Sequence, residues 1–244
     1  MAHEQTRRTV IGAERAVLFL HGILGTPDHF LDYLPLVPEN MSYSNLRLHG
    51  HGASVRDFSR ASMTKWENQV EAEVNRLLST HKSLYIVGHS KGTLLAIEQA
   101  VKHKEVAGLF LLAVPVKLRL TLRTIHNSMK AYFDWIKPTD AVAMAAKRCY
   151  GVARDKNPFH YLGWLPRFLE LSRKSRRTLR LLPQLTVPCR AYQSRRDETV
   201  PDSATRLLKE HSAMTVEELP DSSHYYYTER DYEWLLKDFQ SFLQ

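Results

Sequence analysis

The stretch from Leu84 to Val101 leaves the chain few ways to fold. Leu84-Tyr-Ile-Val87 is a short uncharged apolar run of strand type, and Thr93 to Val101 carries Leu94, Leu95, Ile97 and Ala100 at helical spacing. Only Gly88-His89-Ser90-Lys91-Gly92 joins them. A strand that turns into a helix over so few residues holds its middle residue, Ser90, at the apex of a sharp elbow, with the hydroxyl above the edge of a sheet. The flanking glycines let neighbouring backbone pass where a side chain would collide. The helix then points its first amides, and the positive end of its dipole, at any negative charge that develops there. The plainer alternative for Ser90 is a helix N-cap after a glycine turn.

The same alternation recurs along the chain. Ala16 to Leu20 reads as a buried strand, and Thr26-Pro27 as an N-cap with proline at the first helical position. Ser42 to Leu48 reads as a strand closed by His49-Gly-His-Gly52. Thr64-Lys-Trp-Glu67 fits a capping box, and Trp66, Val70, Val74, Leu77 and Leu78 predict a helix over 65–79. Strands are expected at 106–114, 187–193 and 214–219, and a helix at 202–210. The last helix starts at Thr228-Glu-Arg-Asp231 and runs through Tyr232, Leu235, Leu236, Phe239 and Phe242. Strands and helices in alternation imply a parallel sheet covered on both faces. The pattern breaks between 116 and 183, which is helical in flavour, basic and aromatic. It is read as a helical lid inserted between core segments 1–115 and 184–244.

Composition narrows the class. With 43% hydrophobic and 25% charged residues the chain is globular rather than disordered or coiled-coil. No apolar run approaches the ~18 residues of a membrane span. The polar start leads into no apolar h-region, so no secretory signal is expected. Cys149 and Cys189 read as ordinary reduced thiols, and the expected compartment is cytoplasmic. The net charge is +8, yet 15 basic residues and 4 acids fall between 116 and 183, which leaves that segment at +11 and the rest at −3. Three readings suit the basic segment: a solvated face, selection for an anionic substrate, or weak contact with a membrane surface. In the last, Tyr132, Phe133, Trp135, Phe159, Tyr161, Trp164 and Phe168 dip into lipid. Nothing resembles a nucleic-acid recognition module, so no nucleic-acid partner is expected.

A serine needs a base, and an oriented histidine supplies one. His224, in the loop after the last expected strand, is the best placed of 12 histidines, because loops at the carboxyl ends of parallel strands converge on one edge. The histidine needs an acid. Asp197 follows the strand ending near Gln193, with Glu198 as its local rival and Asp221 a weaker one. Two backbone amides should hold the oxyanion: Lys91, after the nucleophile, and Ile23 on His21-Gly-Ile-Leu-Gly25, with Leu24 second. Losing one such donor typically removes on the order of 3–4 kcal/mol of transition-state stabilisation. Because only the amide is used, a lysine side chain at 91 is acceptable if it points away.

His21-Gly-Ile-Leu-Gly25, Leu48-His-Gly-His-Gly52, Gly88-His-Ser-Lys-Gly92, Asp197-x-x-Val-Pro201 and Ser223-His224 together resemble the α/β-hydrolase superfamily. Within it the chain resembles small bacterial carboxylesterases and monoacylglycerol lipases. The order Ser90, Asp197, His224 is the order of that superfamily. The resemblance implies an α/β-hydrolase fold with an eight-stranded-type sheet and a helical cap, no cofactor, and ester hydrolysis through an acyl-enzyme. Lys91 departs from it, since such enzymes often carry an apolar residue there, and His49 replaces the usual proline of a Pro-Gly-His-Gly loop.

Other histidines and tyrosines have plainer readings. His21, His49 and His51 suggest structural roles in glycine turns rather than a metal site, because no cysteine or carboxylate accompanies them at ligand spacing. His89 is expected to pack against the elbow. Tyr225, Tyr226 and Tyr227 are expected to anchor the last helix. The expected function is a serine esterase or lipase acting on a small ester without metal or cofactor. A thioesterase, an amidase or a ligand-binding protein with little turnover are the alternatives.

Overall fold

The computed structural model describes residues 4–119, 136–137, 139–153, 155–211 and 213–244. A seven-stranded sheet forms its centre, in the order β1 (Thr6–Arg8), β3 (Ser42–Leu46), β2 (Arg15–Leu20), β5 (Ser83–His89), β6 (Val106–Leu112), β8 (Cys189–Ser194) and β9 (Met214–Leu219). Every neighbouring pair is parallel except β1 with β3. The expected mostly parallel sheet is present, with seven strands among the described residues, where the resemblance implies an eight-stranded type. The central strands β2, β5 and β6 were legible because both of their faces are buried. On β2, Ala16, Leu18 and Leu20 join one core cluster while Val17 and Phe19 join the other. On β6, Leu109 and Leu111 face one side and Phe110 and Leu112 the other.

Helices cover both faces. α2 (Met63–Leu78) buries Met63, Trp66, Val70, Val74 and Leu77 at three- and four-residue spacing, and α3 (Lys91–Lys102) and α6 (Asp202–Lys209) join it on that face. α7 (Glu229–Leu243) closes the opposite face through Leu235, Phe239 and Leu243, packed on Phe19, Phe30 and Tyr33. A fully buried side chain of this size contributes about 1.5–3 kcal/mol.

Several boundaries differ from expectation, each for a local reason. α2 is capped by Ser62, whose side chain accepts from Lys65 N–H, so Thr64 lies inside the helix. Thr26 precedes a short 3-10 turn, Pro27–Phe30, without capping it through its side chain. β6 stops at Leu112 because Ala113 takes φ 55, a left-handed conformation that a strand cannot continue through. The helix α1 (Val55–Arg60), with its Ser54 and Asp57 capping box, was not anticipated; six residues are too few for periodicity to show.

Between β6 and β8 the described part of the inserted segment holds α4 (Ala141–Cys149), the two-residue strand β7 (Val152–Ala153), a 3-10 turn (Pro158–Gly163) and α5 (Trp164–Leu181). β7 pairs with β4 (Ala53–Ser54), which ties this segment to the loop after β3. Cys149 and Cys189 are separate free thiols. Among the described residues, no helix is long and apolar enough to cross a membrane.

Candidate active site

The central strand β5 delivers Ser90 to the carboxyl edge of the sheet. Ser90 takes φ 50 and ψ −121, a sparsely populated conformation held from both sides. Its N–H donates to Leu112 O at 2.9 Å, and its carbonyl accepts from Thr93 N–H at 2.9 Å and Thr93 Oγ1 at 2.7 Å. Its side chain caps nothing in the helix, so the N-cap alternative fails. Gly92 is required by contact: a Cβ there would lie 1.8 Å from Leu20 O.

His224 comes from the loop between β9 and α7. Its Nε2 lies 3.0 Å from Ser90 Oγ and its Nδ1 2.8 Å from Asp197 Oδ2. Asp197 sits in the turn after β8, where its Oδ1 accepts from Thr199 and Val200 N–H, both at 2.7 Å. These bonds leave Oδ2 facing the imidazole. Nδ1–H then donates to Asp197, and the Nε2 lone pair is left for the serine hydroxyl. All three groups are almost fully buried. The rivals are placed elsewhere. Glu198 accepts from the His224 backbone N–H at 3.4 Å rather than from its ring, and Asp221 pairs with Arg196 at the surface.

Burial is the largest single influence on His224 and disfavours its cation. The charge and hydrogen bond of Asp197, with the charge of Glu198, together outweigh it and raise the imidazole above its ordinary 6.5.

The loop after β2 lies against the serine, since a Cβ on Gly22 would come within 3.1 Å of Ser90 Cβ. Ile23 follows on that loop, and Leu24 takes φ 58. Gly151 N–H donates to Leu24 O at 2.8 Å, which fastens the loop to the inserted segment. Lys91 is the first residue of α3, so its amide has no intrahelical acceptor.

Three neighbours carry more than the sequence indicated. His89 reaches beyond the elbow and hydrogen-bonds the His224 carbonyl through Nε2 at 2.9 Å, while its ring lies on His29 at 4.0 Å. Tyr225 sets its ring edge-on to His224 at 4.8 Å, and its hydroxyl donates to Ile23 O at 3.4 Å. The third neighbour is the side chain of Lys91, which turns into the protein and is fully buried. Its Nζ stands 3.7 Å above the Trp66 ring and 3.3 Å from His51 Nε2. His51 Nδ1 faces the carbonyls of Leu48 and His49, so that nitrogen carries the proton and Nε2 accepts from the amine. His21 Nε2 accepts from Leu48 N–H, and His21 Nδ1 lies 2.9 Å from Gly22 O. His21 and His51 are thus engaged in the turn. His49 is separate, holding Gln69 and Trp66 through its backbone.

No carboxylate pairs with Lys91 among the described residues, and burial pulls its amine well below the ordinary lysine value. The unfolded chain therefore binds a proton that the folded chain resists. Stability rises with pH through the window between the lowered folded value and the ordinary 10.5, by up to ~1.4 kcal/mol per pH unit. Lys91→Met fills a similar volume without charge. It is expected to raise Tm at pH 7 by a few degrees, an advantage that shrinks as the pH approaches 10. Thermal melts of both proteins from pH 6 to 10 check this; a variant less stable than the parent at pH 7 would show that the contacts with Trp66 and His51 outweigh the buried charge.

Residues 17–237 match the sequence model of the Alpha/beta hydrolase family. A thermostable monoacylglycerol lipase of Bacillus sp. (strain H-257) is 24% identical over 207 residues, covering 83% of this chain and 78% of that protein. Among solved structures, one from a study of LipS and LipT, two metagenome-derived lipolytic enzymes, superposes with a TM-score of 0.76 at 19% identity, covering 99% of this chain and 97% of that one. The monoacylglycerol lipase of Paleococcus ferrophilus gives 0.68 at 13% identity, with 98% of each chain covered.

Proposed function

The chain belongs to the Alpha/beta hydrolase family, and on that premise we propose that it is a serine hydrolase that cleaves carboxylic esters with Ser90 as nucleophile, His224 as base and Asp197 as its orienting acid. The observation that carries the reading is the hydrogen-bonded line from Asp197 Oδ2 through both ring nitrogens of His224 to Ser90 Oγ. His224 takes the serine proton as Oγ attacks the ester carbonyl. The imidazolium that forms faces the Asp197 carboxylate, which stabilises it. The tetrahedral oxyanion is received by the amides of Ile23 and Lys91. His224 then protonates the leaving alcohol, and an acyl group remains on Ser90. A water enters, gives its proton to His224 and releases the acid, restoring the serine. In this reading the described part of the inserted segment, which holds α4 and α5, serves as the cap over the substrate.

The names of the relatives direct attention to monoacylglycerols, and the proposal extends to short- and medium-chain acyl esters. Initial rates on p-nitrophenyl esters from acetate to palmitate test the reading, together with labelling by a fluorophosphonate. Turnover with a chain-length optimum, and one label on the peptide containing Ser90, are expected. A folded protein that turns over no ester and takes up no label would overturn it.

A further inference from the structure

The outer face of α5 is a stripe of two chemistries. Leu165, Leu169, Arg173, Arg176 and Arg180 follow one another at intervals of four, four, three and four residues, so they line one side of the helix over about 22 Å. All five are exposed. The 3-10 turn before the helix extends the apolar end with Phe159 and Leu162; with Leu165, these are between 65% and 74% exposed. Five of the eight large hydrophobic side chains exposed among the described residues lie between 159 and 169. That is a cluster rather than ordinary scatter. At the other end, Arg173, Arg176 and Arg180 make no ion pair among the described residues, whereas Arg177, one position round the helix, reaches Glu98 at 3.0 Å. Of the aromatics expected to meet lipid, Phe159 and Phe168 are exposed. Tyr161 and Trp164 turn inward, Tyr161 accepting from Asp155 N–H and Trp164 lying on Phe58 at 5.1 Å. Tyr132, Phe133 and Trp135 lie outside the described residues.

The inner face is fixed. Lys174 is buried and pairs with Glu67 at 2.6 Å and with Glu98, which brings α2 and α3 against α5. Glu170 accepts from Met63 N–H at 2.9 Å and pairs with Arg167. Leu171, Ser175 and Thr178 are buried beneath the helix. Swinging α5 away would strand Lys174 without a partner and leave Glu98 only Lys102 of its own helix, and separating a buried ion pair is strongly unfavourable.

From this we propose that α5 and the turn before it form a permanently displayed platform that docks the protein on an anionic lipid surface, with the apolar end entering the acyl boundary and the three arginines on lipid phosphates. A lipid surface is the occupant that offers hydrocarbon and negative charge side by side over this length. A free polyanion would use the arginines and leave the leucines in water. The excess of positive charge in this segment supplies the matching long-range attraction. Because α5 is bolted to the core, docking requires no opening, and the active site stays as it is.

Sedimentation of the intact protein with vesicles tests the platform without reference to hydrolysis. Vesicles of phosphatidylcholine with about a third phosphatidylglycerol are expected to carry the protein down in low salt, and phosphatidylcholine alone to leave it in solution. R173E/R176E/R180E should lower partitioning roughly a hundredfold or more, since each arginine near an anionic surface contributes about fivefold. L162S/L165S/L169S should weaken it as well, with the thermal melt of both variants unchanged. Equal binding to both vesicle types, binding indifferent to the two variants, or retention on heparin without vesicle binding would overturn the proposal. The rate on a soluble short-chain ester should be the same with and without vesicles. A rise on adding vesicles would contradict the fixed platform, while absence of turnover would bear on the ester reading alone.

Discussion

Ser90→Ala is expected to lower kcat/KM on a soluble p-nitrophenyl ester by roughly 10⁶, which is the scale of losing a nucleophile that acts as one unit with its base. The substitution removes Oγ, so no acyl-enzyme forms. It leaves His224, the amides of Ile23 and Lys91 and the whole elbow in place. The backbone strain at φ 50 is shared by alanine and serine, and the Ser90 hydroxyl caps no helix, so the melting temperature should hardly move. A residual rate of about 10³–10⁴ over water is compatible with binding and oxyanion stabilisation alone. Steady-state rates on the purified variant decide it. Retention of more than a hundredth of the parent activity would mean that another group performs the attack.

Asp197→Asn is expected to lower kcat by about 10⁴ and to shift the pH profile. The reason lies in how the carboxylate is held. Its Oδ1 already accepts two backbone N–H groups at 2.7 Å, so an asparagine must place its carbonyl oxygen there and turn its NH₂ toward His224. Nδ1 then has to accept, which moves the imidazole proton to Nε2 and points it at Ser90. The neutral base is present but in the wrong tautomer. The charge matters separately. Asp197 helps lift His224 above 6.5 against its burial, so without that charge burial dominates and the imidazole falls. The acid limb of kcat/KM should therefore lie above pH 6.5 in the parent and at lower pH in the variant. Profiles measured between pH 4 and 9 check both effects; an acid limb that stays in place would show that His224 is not the titrating base.

The two expectations differ in what they needed from the chain. Ser90 was legible because strand, elbow and helix are contiguous, and the chemistry of the turn is written in five residues. His224 and Asp197 were legible through topology: each closes a strand at the same edge of a parallel sheet, so their distance in sequence mattered little. The sequence already favoured Asp197 over Glu198 and Asp221, and the tertiary structure adds the geometry that sets it toward the ring. Adjacent residues in a turn point in different directions, and which carboxylate faces the ring depends on Thr199 and Val200 holding Oδ1. His89 was legible only as a neighbour of the elbow. Its bond to the His224 carbonyl spans 135 positions, and no local pattern announces it.

By itself, the sequence determined the alternating architecture, the two-sided burial of the central strands and the linear order of the candidate catalytic groups. These depend on periodicity and on contiguous turns, which are properties of neighbours along the chain. Tertiary structure alone decided the rest. Lys91 could have pointed to solvent, but α3 begins beneath the loop of His51 and against Trp66, so its amine is enclosed there. The helical pattern of α5 mixes leucines, arginines and a lysine. Only the carboxylates of Glu67 and Glu98, brought from α2 and α3, make Lys174 an inner residue and leave Arg173, Arg176 and Arg180 outside. A charged side chain carries no periodic mark of burial. Its partner comes from another part of the chain, and that partner decides which face of the helix it takes.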